Sequence, residues 1–504
     1  SLPLAVPNPR IWSPDSPELH VLTVAMWDEA VEVDIVKVRF GIRTVETGNG
    51  QILLNGEPLS LLGVNRHENH PHGGIWMTTE DLRRDVALLR ELGANFVRGA
   101  HYSQDQRWLD LCDEAGLLVW EETMGWQPRL EHLEDPTFVQ QQLLALEETI
   151  NASVNHPSVI MWGFLNEGQS DSLAARPAYQ LLAERARLLD PTRLVSWASK
   201  TKMRDLTLDI ADVVSFNDYP GWYDATVNEI PNVWRSYVDW VRTHFPGKPF
   251  LMSEVGASGI AGFRSLAELG KWSEDLQAAI VQASIVTMRA LNLAGVALWQ
   301  FADNRVDTAI FFEDNPRTSP LANVSDADWV EHMAIRFETT NSPFGSHLPL
   351  RPRRVNNKGL LSLDRHYQKE AFRVARDAFW SVSCGLSSSG LSEITSMSLG
   401  RRGPWLPTSQ AVAGLAVRQS LLNGLMASSG RLLQEPVRVV AAAVAGRCHG
   451  CFLSVHTWNA GDRPDGEPGL RVHAHTREAR ASHWAFEPRG FLRLAGHADS
   501  RSTA

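Results

Sequence analysis

Between residues 59 and 303, short apolar runs alternate with helical patterns, and that alternation leaves the chain few possible folds. Eight runs read as strands: Leu59–Glu68, Phe96–Tyr102, Leu117–Thr123, Val159–Glu167, Leu194–Ser199, Val213–Tyr219, Pro249–Gly256 and Gly295–Asp303. Their near-continuous apolar character is that of strands buried on both faces, as in parallel sheets. Between the first two runs, Leu82, Val86, Leu89 and Leu92 recur at helical spacing, with Thr79 and Asp81 as N-cap chemistry and Gly93 as a stop. Repeated βα units over this length predict an α/β fold, a (β/α)8 TIM barrel.

The flanks are organised differently. Ile11-Trp12-Ser13-Pro14 reads as a turn, and His20–Ala25 and Val31–Ile42 read as strands with the alternation of a β-sandwich. Residues 1–45 are too few for a whole sandwich of ~100 residues and read as the remnant of a larger β-domain. The barrel is assigned to 46–380, with an irregular, pattern-free insertion at about 307–350 that exceeds ordinary connections. Residues 381–504 lack lysine and tyrosine and are rich in Ser, Ala and Gly, so an irregular or disordered tail is expected. Recognisable pattern resumes at Arg353–Trp380 between these two stretches, which read as foreign to the fold, as translated non-coding or out-of-frame sequence would be.

With 504 residues, 43% hydrophobic, the chain can bury a large core. A formal charge of −10 offers no basic face for nucleic acid or an anionic membrane, and no run approaches the ~20 apolar residues of a spanning helix. The sequence opens without methionine or a secretory h-region and is read as incomplete at that end, with a cytoplasmic location as the default expectation. Four cysteines do not suggest a disulfide framework: Cys112 falls on an amphipathic helix as core, and Cys448 and Cys451 form a lone C-x-x-C. Self-association is left open, with a homo-oligomer among the expected partners.

In parallel barrels chemistry collects at the C-terminal strand ends. There the sequence gathers Arg66-His67-Glu68, His101-Tyr102, Glu121-Glu122, Asn166-Glu167, Asn217-Asp218-Tyr219, Glu254 and Trp299. Glu167 and Glu254 each follow an apolar run into a polar turn, and burying an unpaired charge is costly unless the site uses it. Glycosidic hydrolysis needs this pairing: a carboxylic acid to protonate the leaving oxygen and a carboxylate to meet the oxocarbenium-like centre. Two carboxyls in one pocket push their pKa values apart, so Glu167 is expected to hold a proton while Glu254 is ionised. His67, His70 and His72 give poor metal-ligand geometry, and no carboxylate spacing completes a site. Neither metal nor cofactor is expected.

Gly63-Val64-Asn65-Arg66-His67-Glu68, Asn155-His156-Pro157-Ser158, Asn166-Glu167, Ser253-Glu254 and Trp299-Gln300-Phe301-Ala302-Asp303 together resemble glycoside hydrolase family 2. That family contains β-galactosidases, β-glucuronidases and β-mannosidases. The resemblance covers about residues 10–306 and 353–380, with the motifs in the family's order. It implies that residues 1–45 end an immunoglobulin-like β-sandwich, the jelly-roll sugar-binding domain ahead of it being missing. It also implies Glu167 as acid/base, Glu254 as nucleophile and Asn166 as partner of the sugar 2-hydroxyl. By the same resemblance Trp299 is an aromatic floor, His101 lines the pocket, and Asn217 and Tyr219 sit at the sixth strand end, where a tyrosine orients the nucleophile. Asn356 and Lys358 in Asn356-Asn357-Lys358-Gly359 are similar to the uronate clamp of β-glucuronidases, and an ammonium suits a carboxylate as a point-charge partner.

Asp218, Pro220 and Asn69 depart from the glucuronidase pattern. Glu121-Glu122-Thr123-Met124-Gly125 departs from the Glu-Thr-His-Gly of metal-dependent β-galactosidases. The resemblance therefore implies a retaining exo-β-glycosidase acting on a carbohydrate or glycoconjugate, of β-glucuronidase type. A β-galactosidase or an inactive, truncated carbohydrate-binding homologue is the alternative.

Overall fold

The computed structural model describes residues 6, 8–28, 31–264, 270–305, 339–341, 347–349, 355–383, 451–458 and 469–476. Strands β1 (His20–Asp28) and β2 (Val31–Phe40) pair antiparallel ahead of the barrel. Next come β3 (Val45–Gly48), β4 (Gln51–Leu54) and β5 (Glu57–Leu59), an antiparallel meander where the sequence reading has only the barrel's approach. Its turns are Asn49-Gly50 and Asn55-Gly56, with both residues of each at positive φ. Asn-Gly between short apolar runs is a strong hairpin signal, and the longer barrel pattern masks it here. Ile52 and Leu54 of the meander cluster with Trp12, Val45 and the barrel residues Leu61, Phe96, Leu118 and Ile160.

All eight expected strands form: β6 (Leu61–Arg66), β7 (Phe96–Gly99), β8 (Leu118–Glu122), β9 (Val159–Gly163), β10 (Leu194–Ser196), β11 (Val214–Asn217), β12 (Phe250–Val255) and β13 (Gly295–Leu298). The sheet runs β10-β9-β8-β7-β6-β13-β12-β11, with every neighbouring pair parallel. Its two ends meet through Ser199: Ser199 N donates to Ser215 O at 3.0 Å and Asn217 N donates to Ser199 O at 2.9 Å. The ring is thereby closed, an α/β barrel with every residue of its strands buried.

The helices in chain order are α1 (Thr79–Leu92), α2 (Gln106–Ala115), α3 (Leu130–Leu133), α4 (Pro136–Ser153), α5 (Arg176–Leu189), α6 (Ile230–His244), α7 (Glu274–Leu291) and α8 (Glu370–Ser383). The N-cap of α1 is Thr78, one residue ahead of the expected Thr79; Asp81 closes a capping box with it, and Gly93 ends the helix at φ +76°. Between β10 and β11 the chain makes only a 3₁₀ turn at Lys202–Arg204, so the fifth βα unit carries no α-helix. Cys112 is fully buried in α2, as its spacing implies.

Beyond β13 lie β14 (Asn304–Arg305), β15 (Thr339–Asn341), β16 (His347–Pro349) and β17 (Val355–Asn356). β14 pairs with β17, so the two borders of the inserted stretch are joined to each other. Within the expected tail, β18 (Cys451–Trp458) and β19 (Gly469–Thr476) are strands: β19 pairs parallel with β1 and antiparallel with β18. The rest of 307–350 and of 381–504, Cys448 included, lies outside the described residues.

Asp85 of α1 fastens the closing segment to the first strand. Its carboxylate accepts from Arg66 Nε and from Arg365 Nε, each at 3.0 Å, and all three side chains are buried. Removing the shared partner of buried charges is strongly destabilising. Asp85→Ala is expected to lower unfolding stability by about 3–5 kcal/mol, read as a drop in denaturation midpoint; an unchanged midpoint would contradict the role.

Candidate active site

The C-terminal ends of the strands surround a cleft of about 1120 Å³. Its lining includes Glu167, Glu254, His101, Asn217, Tyr219, Trp299, Asn356 and Lys358. Asn166 lies directly behind, bonded to three of the groups described below. The predicted set is thus brought together. Glu254 belongs to β12 itself. Glu167 does not end β9: the strand stops at Gly163, and Leu165 and Glu167 adopt φ of +52° and +54°. That left-handed turn breaks the ladder and is unfavourable for side chains other than glycine, a strain common at functional positions.

Arg98 of β7, fully buried, organises the floor. Its Nε donates to Glu122 Oε1 at 2.7 Å. Nη1 donates to Asn65 Oδ1 at 2.7 Å and to Glu254 Oε1 at 2.8 Å, and Nη2 to Asn166 Oδ1 at 2.7 Å. Asn65 Nδ2 in turn donates to Ser253 O at 2.9 Å and Ala297 O at 3.1 Å, tying β6 to β12 and β13. The sequence reading does not single out Arg98, and it names Asn65 and Glu122 only within longer motifs, without a role. The available signal was an arginine in the middle of Phe96-Val97-Arg98-Gly99, since a charge within a buried strand demands partners.

Tyr219 OH donates to Glu254 Oε2 at 2.6 Å, so both Glu254 oxygens are engaged. Glu167 accepts from Asn217 Nδ2 at 2.9 Å and from Gln127 Nε2 at 2.7 Å. Asn217 Oδ1 accepts from Ser253 Oγ at 2.8 Å, which fixes the orientation of the amide. His101 stacks on Trp299, with ring centres 5.2 Å apart and planes at 10°, and lies 3.0 Å from Glu122 through Nδ1. One face of the expected aromatic floor is therefore already covered by His101. Burial, reinforced by His101, Arg98 and Arg66, pushes the His67 imidazole down to about 3, so it is neutral at physiological pH.

At the opposite wall Lys358 Nζ donates to Tyr223 OH at 2.7 Å and sits 4.0 Å from the centre of the Tyr219 ring. Its backbone is pinned: Gln300 N donates to Lys358 O at 2.8 Å, and Asp303 accepts from Gly359 N at 2.9 Å and Lys369 Nζ at 2.7 Å. Gly359 is required there, because a Cβ would lie 2.0 Å from Asp303 N. Asn356 Oδ1 accepts from Lys358 N at 3.0 Å.

Of the histidines weighed as metal ligands, His67 faces the cleft, whereas His70 lies 3.5 Å from Asp81 with its ring 5.7 Å from that of His72. His156 of Asn155-His156-Pro157-Ser158 is away from the cleft, bound through Nδ1 to Asp113 Oδ2 at 2.6 Å, while Ser158 N donates to Asp113 Oδ1 at 3.0 Å. That motif joins α2 to the start of β9.

A closed parallel barrel with two carboxylates, a buried arginine and a tyrosine converging on one mouth cleft defines a barrel of the glycoside hydrolase kind. The chain belongs to glycoside hydrolase family 2. The family's TIM barrel domain matches residues 45–310, and a second model, glycosyl hydrolases family 2, matches residues 1–43. The dog β-glucuronidase is 32% identical over 319 residues, covering 60% of this chain and 48% of its own. A putative β-glucuronidase of Formosa agariphila is 30% identical over 391 residues, covering 75% of this chain and 44% of its own. Among solved structures, a β-galacturonidase from Eisenbergiella tayi bound to galacturonate superposes with a TM-score of 0.63 at 34% identity, covering 75% of this chain and 60% of its own. The chain spans about half the length of the curated relatives it matches.

Burial pushes the Glu254 carboxyl above its ordinary range; Arg98 opposes this, Glu167 adds to it, and His101 and the Tyr219 hydroxyl oppose it. The sequence reading expects an ionised Glu254; the upward direction arises because desolvation of the buried carboxyl outweighs the opposing arginine. A pKa raised in the folded state gives stability that is present below the unfolded pKa and lost as pH rises through the folded one. Glu254→Gln should therefore raise Tm above that of the unaltered protein at neutral pH, with the gap narrowing in acid. A lower Tm at neutral pH would contradict it.

Proposed function

We propose that the chain is the catalytic part of a retaining exo-β-glycosidase specific for uronides, of the β-glucuronidase type. The observation that carries the reading is the cation fixed beside the nucleophile's tyrosine. Lys358 rests on the ring of Tyr219, whose hydroxyl binds Glu254. A sugar whose anomeric carbon meets Glu254 then presents its carboxylate to Lys358 and Asn356. The names of the relatives and of the solved structure, glucuronidases and a galacturonidase, support a uronate over a neutral galactoside.

In the first step a Glu254 oxygen bonds to the anomeric carbon as the bond from that carbon to the leaving oxygen breaks. The leaving oxygen keeps the electron pair and takes the proton of Glu167. A water molecule then attacks the same carbon, gives its proton to Glu167 and releases Glu254. Arg98 stabilises the nucleophile's charge before attack and as Glu254 is released, and the Tyr219 hydroxyl aims its second oxygen. Asn166, held by Arg98 and Asn217, is set to bond the 2-hydroxyl as the ring flattens. The inserted stretch does not separate the two halves of this site, since Gln300 N bonds Lys358 O directly.

Nitrophenyl glucuronide, galacturonide and galactoside assayed side by side test the reading. Turnover of a uronide well above the galactoside is expected, and Glu254→Gln should lose about a thousandfold or more in kcat. Lys358→Ala should cost uronides about a hundredfold in kcat/KM, the worth of a charge-assisted bond, with a smaller loss for the galactoside. Faster turnover of the galactoside, or unaltered rates in Glu254→Gln, would overturn it.

A further inference from the structure

Lys358 reaches the cleft on a long, flexible stem, so the direction in which that stem leaves the backbone decides where its ammonium can go. The two peptide units on either side of its Cα set that direction. The unit before it carries the Asn357 carbonyl, and the unit after it carries the Gly359 N–H. Both are held by one pair of side chains. Lys369 Nζ donates to Asn357 O at 3.1 Å, and Asp303 Oδ1 accepts from Gly359 N at 2.9 Å. Lys369 Nζ also donates to Asp303 Oδ1 at 2.7 Å, which closes a ring of bonds around the backbone of Lys358.

The pair stands behind the cleft. Neither residue is among those that line it, and both side chains are buried. Well-packed apolar side chains of similar volume often stabilise a fold as well as a buried ion pair does, so stability alone does not account for these charges. Their aim does: each is spent on one of the two backbone groups that bracket a single residue. The fit is close on the side of the carboxylate, since a Cβ on Gly359 would lie 2.6 Å from Asp303 Oδ1. Burial pushes the Asp303 carboxyl up to about 6, with Lys369, the Gly359 N–H and the Asn357 side chain opposing. Of these Lys369 is the charged group facing it. Acid therefore discharges the negative member of the pair, while the carboxylate of a uronic acid stays ionised.

We infer that Asp303 and Lys369 are positioning residues for sugar selection: acting through the backbone of Lys358, they aim its ammonium at the sugar carboxylate and leave the chemistry at Glu254 and Glu167 alone. Resting on the uronide reading, this makes the preference for an acidic sugar depend on two side chains that never touch it.

Nitrophenyl glucuronide and galactoside assayed across pH test it, because both use Glu254 and Glu167 and their ratio isolates the clamp. In the unaltered protein the glucuronide-to-galactoside ratio of kcat/KM is expected to fall as pH drops through about 6. Asp303→Asn combined with Lys369→Met removes both charges, so that neither is left buried alone. It should lower the ratio about tenfold at neutral pH, through the KM of the glucuronide and not kcat, and flatten its pH dependence. Combined with Lys358→Ala, the same double replacement should change the ratio no further. A ratio that is flat with pH in the unaltered protein, that survives the double replacement, or that falls additively on top of Lys358→Ala would overturn the positioning role. The uronide reading fails separately, through preference of the unaltered protein for the galactoside at neutral pH.

Discussion

The guanidinium of Arg98 is the interaction on which the rest of the site depends. A cation with no solvent exposure inside a closed barrel is tolerable only if its donors are all satisfied, and its acceptors are Glu122, Asn65, Glu254 and Asn166. Those four groups come from β6, β8, β12 and the turn after β9. One planar, rigid fork thereby sets the relative positions of four strand ends. Glu122 is held below the ordinary carboxylate range despite burial, because Arg98 and His101 both face it. It supplies the negative charge that lets Arg98 stay buried without Glu254 carrying the whole load. Glu254 is then left with a partly shared counter-ion, which suits the nucleophile role proposed for it.

The second constraint is how the far wall reaches the site. Asn356 and Lys358 follow a long interruption in the barrel pattern, and bonds to the backbone of this segment return it to place. Gln300 N to Lys358 O, Leu360 N to Gln300 O and Asp303 N to Leu361 O form a short ladder against the end of β13. Gln277 of α7 adds donors to Lys358 O and Gly359 O. The buried Asp303–Lys369 pair and the Asp85–Arg365 pair then lock the following segment to the barrel from two sides. Because the clamp is held through its backbone, the Lys358 ammonium can exchange the Tyr223 hydroxyl for a ligand oxygen without the loop moving.

The eight strands were legible because a strand buried on both faces reads as an apolar run whatever its partners, and parallel barrels impose that on every strand. Strand ends were less legible. The exit of β9 runs apolar through Phe164 and Leu165, yet the ladder stops at Gly163 because the next residues turn left-handed, which composition does not announce. Glu167, Glu254, Asn217, Tyr219, Asn166 and Lys358 could be found because functional polar residues cluster at strand ends. Arg98 and Asn65 were harder: they sit inside strands, where a polar residue looks like an exception to the pattern. The meander at 45–59 escaped for the opposite reason. Its Asn-Gly turns are strong local signals, but the runs between them are only three or four residues long.

Charge placement links these features to substrate choice. The carboxylates at the centre of the cleft would repel an acidic sugar if they acted alone. Lys358 at the inner wall and Lys200, Lys271 and Arg305 near the mouth reverse the local sign, although the chain as a whole is acidic. In a cleft with low-dielectric walls, field lines concentrate, so a few cations placed there outweigh a larger but dispersed negative surface. Neutral sugars gain nothing from this arrangement, and Lys358 then keeps its contacts with the tyrosine rings and the Tyr223 hydroxyl. On the proposed uronide reading, discrimination arises from where Lys358 and the rim cations stand relative to Glu254 and Glu167, and not from the barrel, which many chemistries share.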